Sequence, residues 1–179
     1  KIRDGKPTTL GVASGAVAGA VAITPACGFV TPMGALLVGA AGGAICSLAV
    51  GLKYKFGYDD SLDVVGVHGV GGLVGMISIG LLATVSVNSA GADGLLYGGG
   101  AGLLGRQLIA SGATLAYALI VTAVLAFIVE KTVGLRTSPE NEYAGLDISE
   151  HAESAYDFTG SSAGAFAGVG HGGFGHAGG

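Results

Sequence analysis

The sequence predicts an all-α polytopic membrane protein, and three observations carry that prediction. Half of its 179 residues are hydrophobic and only 11% are charged, where a soluble domain carries about a quarter. Four charge-free stretches are long enough to cross a hydrocarbon core of about 30 Å, which takes about 20 residues. Glycine is very abundant, at 36 residues, and Trp is absent. In water that much glycine weakens helices, but membrane bundles use small residues to bring backbones into contact.

The four predicted spans cover residues 8–27, 32–52, 64–85 and 108–131. The first closes on the turn Thr24-Pro25-Ala26-Cys27-Gly28, and Lys53 and Lys55 close the second. The fourth continues helically through Glu130 and Lys131. Between the third and fourth lies a glycine-rich connection, residues 88–107, with Gly98-Gly99-Gly100 and Gly102. It is too broken for a fifth span and reads as a loop or re-entrant segment. Glycines recur at four-residue spacing at Gly11, Gly15 and Gly19 in the first span and at Gly39 and Gly43 in the second, a pattern that lets neighbouring helices pack closely. Residues 1–133 are therefore the membrane region. The chain opens at Lys1 without a Met, a signal peptide or a twin-Arg motif, so further sequence is expected upstream.

If the spans alternate, Lys1, Arg3, Lys6, Lys53, Lys55, Lys131 and Arg136 fall on one side and only Arg106 on the other. The positive-inside rule puts that basic side, with both chain ends, in the cytoplasm.

An ionisable side chain inside a bilayer is costly and is a functional candidate by default. His68 is the clear case, about five residues or roughly 7–8 Å of helical rise beyond Asp63. Glycines 66, 69, 71 and 72 leave room around it. A neutral imidazole donates from one nitrogen and accepts at the other, which suits passing or relaying a small protonated molecule. A structural, hydrogen-bonding histidine is the alternative; a metal site is disfavoured because only Asp63 lies near, on a different face. Ser14, Thr24, Ser47, Ser78, Thr114, Tyr117 and Thr122 can each bond a carbonyl of their own helix. Thr24 stands out because Pro25 beside it frees carbonyls that need partners. Cys27 and Cys46 lack metal or redox spacing and read as packing residues. With no Walker loop, dinucleotide fingerprint, GxSxG or HExxH, no enzyme is expected, and no cofactor, metal or nucleic-acid partner.

The string Asp59-Asp60-Ser61-Leu62-Asp63-Val64-Val65-Gly66-Val67-His68-Gly69 closely resembles the Amt/Mep/Rh ammonium transporter motif that carries one of the family's two pore histidines. Further matches run over most of the chain: Gly5-Lys6-Pro7, Ser14-Gly15-Ala16, Thr24-Pro25-Ala26-Cys27-Gly28, Gly134-Leu135-Arg136, and Gly145-Leu146-Asp147 followed by His151, Glu153, Ala155 and Tyr156. The resemblance implies the last four helices of an eleven-helix inverted-repeat fold, a homotrimer in the cell membrane with a hydrophobic pore in each subunit. It implies that ammonium is recruited outside, deprotonated and passed as ammonia along twin histidines. His68 would be the second of these. Val17 and Val64 would form part of the hydrophobic constriction, Ser14 and Asp60 would sit near the cytoplasmic exit, and Thr24 near the pore wall. The partner histidine, the external aromatic site and the phenylalanine gate belong to helices absent from this chain, so the fragment alone is not expected to conduct.

Residues 134–158 turn polar and acidic, with enough apolar side chains to dock on a neighbouring surface. The resemblance makes this a cytoplasmic regulatory region in which Gly145, Leu146, Asp147, His151, Glu153 and Tyr156 match the family pattern, docked on the adjacent subunit and cooperating with PII signal proteins. Residues 159–179 are Gly/Ala/Ser-rich and read as a disordered tail. Two alternatives to transport remain: an ammonium sensor that keeps the fold, and a structural subunit in which His68 merely packs.

Overall fold

The structure is a computed structural model that describes residues 8–153. Helix α1 (Thr9–Ile23) starts where Thr8, extended, accepts a hydrogen bond from the Gly11 N–H at 3.1 Å, satisfying one of the helix's orphan donors. It ends at Thr24 because Pro25 has no N–H to continue the ladder, and the chain turns through Phe29. Helix α2 (Pro32–Val50) starts the same way, with the Thr31 hydroxyl accepting from Gly34 N–H at 3.1 Å and Pro32 in its first turn, where a missing N–H costs nothing. A short α3 (Leu52–Phe56) closes on Gly57, whose φ of +69° a glycine adopts freely.

A π-helical turn (Val64–Gly69) passes directly into α4 (Val70–Leu82), and a 3-10 turn (Leu95–Tyr97) precedes the long α5 (Gly102–Thr132). Then come α6 (Pro139–Ala144) and α7 (Leu146–His151). No strand occurs among the described residues.

Three segments are long and apolar enough to cross a membrane: Pro32–Phe56, Val64–Leu82 and Gly102–Thr132. Several expected boundaries move. The first span, expected over 8–27, has its helix cut to 15 residues by Pro25. The third, expected to reach 85, stops at Leu82, where Ala83 turns extended. The fourth starts at Gly102 rather than 108, so the glycine-rich connection is shorter than expected and its last residues are helical. The rest of that connection is a tied loop: Asp93 Oδ1 accepts from Val85 N–H at 2.9 Å, and Gly94 N–H donates to Ala83 O at 2.8 Å. Residues 1–7 and 154–179, with Lys1, Arg3, Lys6, Tyr156 and the glycine-rich tail, lie outside the described residues.

The chain forms two compact units, divided between Val121 and Thr122. In the first, α1, α2 and α4 pack mutually around Ala18, Cys46 and Val67 at one level and Ala26, Val30, Ile79 and Ala83 at another. The four-residue glycine spacing works as expected in three of its five positions, Gly19, Gly39 and Gly43, while a Cβ on Gly15 would meet nothing within 4 Å. A Cβ on Gly19 would meet Gly39 O at 3.3 Å, and one on Gly43 would meet Gly15 O at 3.6 Å, whereas Gly11 faces only its own cap, Thr8. Tighter approaches between helices lie elsewhere. A Cβ on Gly42 would collide with that of Ala22, and one on Gly75 with Ala22 O and Pro25.

The second unit is held by polar side chains. Glu130 accepts from Leu135 N–H at 2.9 Å across the turn at Gly134. Glu150 accepts from Asn141 Nδ2 at 2.8 Å and Thr137 Oγ1 at 3.0 Å, tying α7 to α6. Gly145, Leu146, Asp147, His151 and Glu153 all lie along this α6–α7 corner, with Gly145 at φ +96°.

Candidate functional site, a groove beside His68

The chain that delivers His68 is fixed from below by an acidic clasp. Asp60 accepts from the N–H of Val64 at 2.7 Å through Oδ1 and from that of Val65 at 2.9 Å through Oδ2. These are orphan donors at the start of the π-helical turn, where negative charge is favoured. Asp63 turns the chain in the left-handed region at φ +57° and holds Lys53 Nζ at 2.6 Å, while Lys53 also donates to Asp60 O at 2.9 Å. Lys53 thus ties the end of α3 to the base of the histidine helix. In the turn itself a Cβ on Gly66 would lie 2.9 Å from Val50 Cα and N. Only glycine permits that approach to α2.

The expectation of an ordinary α-helix between Asp63 and His68 is corrected here. The wider π turn sets both the rise to His68 and the face on which it emerges, and such turns recur at functional sites.

His68 emerges exposed into a groove of about 610 Å³. One wall is Gly69, Gly72 and Leu73 from its own helix, another is Thr24 and Pro25 at the end of α1, and the third is Ser111, Thr114 and Leu115 of α5. Beta carbons on Gly69 or Gly72 would meet nothing within 4 Å. Among the described residues the imidazole has no hydrogen-bond or ionic partner, so neither ring nitrogen is committed to the protein. The surroundings are mainly apolar. Thr24 uses its hydroxyl proton on Ala20 O at 2.7 Å, which leaves its oxygen lone pairs available.

Of the residues singled out from sequence, His68 and Thr24 come together in this groove. Val64, 51% exposed, and Val17, 50% exposed, lie outside its wall, as do the exposed Ser14 and the capping Asp60. Sequence reasoning passed over Ser111 altogether, and it gave Lys53 a role in closing a span and setting sidedness but none in holding the histidine helix. The signal for Ser111 was present: Gln107, Ser111 and Thr114 stand three and four residues apart, on one face of an otherwise apolar helix. No group of three or more His, Cys, Asp or Glu side chains placed to hold a metal occurs among the described residues.

Comparison with known proteins gives one consistent likeness. Residues 1–156 match the model of the Ammonium Transporter Family. The chain is 55% identical over 163 residues to an ammonium transporter of Mycobacterium tuberculosis, covering 88% of this chain and 34% of that protein. It is 50% identical over 152 residues to ammonium transporter Amt1 of Archaeoglobus fulgidus, covering 85% and 38%. Among solved structures, Mep2 of Candida albicans superposes with a TM-score of 0.69 at 34% identity, covering 78% of this chain and 32% of that one. Mep2 of Saccharomyces cerevisiae gives 0.66 at 37% identity, covering 75% and 31%. The chain therefore spans about a third of the length of the relatives it matches.

Proposed function

The chain belongs to the ammonium transporter family, and on that premise we propose that it supplies the C-terminal part of a transmembrane pathway for ammonium or ammonia, with His68 in the conduction path. The observation that carries this reading is the open imidazole: an ionisable side chain, unpartnered among the described residues, at the edge of a mostly apolar groove.

An apolar passage penalises a charged solute by removing its hydration, so ammonium entering it is driven toward the neutral form. A neutral imidazole answers both needs of the small molecule, since it can accept from an N–H and donate to a lone pair. Thr24 adds an acceptor nearby, and Pro25 and Leu73 keep the wall dry. Val17 and Val64 would narrow the path, and Ser14 and Asp60 would lie toward its cytoplasmic mouth.

The partner histidine and the outer gate would belong to helices outside this chain. With the basic residues gathered on one side, the C-terminal segment lies in the cytoplasm of a multi-pass protein of the cell membrane. A homotrimer, with the α6–α7 corner docked on a neighbouring subunit and open to a PII signal protein, completes the proposal.

The test is uptake of ammonium or methylammonium into proteoliposomes by the full-length protein, unmodified and as His68→Ala. We expect flux or selectivity to collapse while the oligomer stays intact. Unchanged flux would make His68 a packing residue, and no flux from the unmodified protein would favour an ammonium sensor.

A further inference from the structure

We propose that the Ser111 hydroxyl is a second polar station of the groove, a hydrogen-bonding site for the solute that faces the path from α5. This rests on the transport reading above and adds a specificity-determining residue to it.

Ser111 is only 9% exposed, and its Oγ is buried without a hydrogen-bond partner. A serine on a membrane helix has an easy way to avoid that state, which is to donate to the carbonyl one turn back. Other hydroxyls here do so: Thr24 to Ala20 O at 2.7 Å, Ser78 to Val74 O at 2.7 Å and Thr132 to Ile128 O at 2.9 Å. Ser111 instead lines the groove that His68 and Thr24 also line. Its neighbour one turn earlier, Gln107, has a buried, unpartnered Oε1 as well.

A hydroxyl can accept from an N–H of ammonium and can donate to the lone pair of ammonia. With an apolar wall around it, that bond competes with little water, and the group stays unsatisfied whenever the groove is empty of polar solute. Methylammonium replaces one N–H by a methyl group, so a fixed hydroxyl distinguishes the two solutes where a merely apolar wall does not.

The experiment uses the full-length protein in proteoliposomes, comparing the unmodified form with Ser111→Ala and Ser111→Thr for ammonium and methylammonium uptake, with a melting curve for each. Alanine removes the hydroxyl and nothing else. If the hydroxyl meets the solute, Ser111→Ala lowers ammonium uptake about threefold to tenfold, the loss of one hydrogen bond. It also changes the ratio of the two solutes, with a melting temperature unchanged or raised. Ser111→Thr keeps most of the flux. Flux and solute ratio unchanged in Ser111→Ala would overturn the proposal. So would a parallel fall in flux and melting temperature, because the hydroxyl would then be pairing with another helix of the full protein. Failure of the unmodified protein to carry either solute is a separate result, and it removes the transport reading itself.

Discussion

Asp60 commits both carboxylate oxygens to the backbone, at 2.7 Å and 2.9 Å, so its first task is to start the helix that carries His68. Removing such a cap costs about 0.5–2 kcal/mol. Asp60→Ala is therefore expected to lower the melting temperature of the detergent-solubilised full-length protein, and Asp60→Asn, which keeps one carbonyl oxygen, to recover part of the loss. A normal melt with reduced flux would instead place Asp60 in the exit of the pathway. At this scale the sequence was informative where chemistry is rare. One histidine in an apolar span is conspicuous, and so is a threonine before a proline. Ser111 shared a polar face with Gln107 and Thr114 but did not stand out, because serine is common in membrane helices. What sets it apart is the bond it does not make, and only coordinates give that.

The π-helical turn contains two glycines with opposite constraints. Gly66 abuts the Val50 backbone, while Gly69 faces the open groove. Gly66→Ala forces α2 and the histidine helix apart, and overpacking of this kind costs about 1–3 kcal/mol. Gly69→Ala meets no neighbour and gains helix propensity, up to about 1 kcal/mol. A melting comparison of the two variants in the full-length protein checks this, and equal destabilisation would rule out the close approach at Gly66. The order of the four apolar helices was legible from charge-free length, but among the described residues only three of the four expected spans are long and apolar enough to cross a membrane, and three of the five spaced glycines were legible as contacts. The π turn was not, because Val-Val-Gly-Val-His-Gly fits an α-helix equally well by pattern. Nor was the early start of α5, since glycines 98, 99, 100 and 102 look alike in sequence while the helix begins only at Gly102.

Over the whole molecule, the distribution of charge and the helix order make a claim about sidedness that neither makes alone. The turns around Ser61 and Ser89 are exposed and are separated by a single span, Val64–Leu82, so they must emerge on opposite sides of a membrane. Lys53 and Lys55 flank the first of these turns, and the only basic residue near the second is Arg106. The positive-inside rule then predicts Ser61 in the cytoplasm and Ser89 outside. In a full-length protein lacking Cys27 and Cys46, Ser89→Cys should react with a membrane-impermeant maleimide on intact cells, and Ser61→Cys only after permeabilisation. The reverse labelling would invert the topology and, with it, put the α6–α7 corner outside. There no intracellular signal protein could reach it, and the regulatory part of the proposal would fall while the groove beside His68 remained.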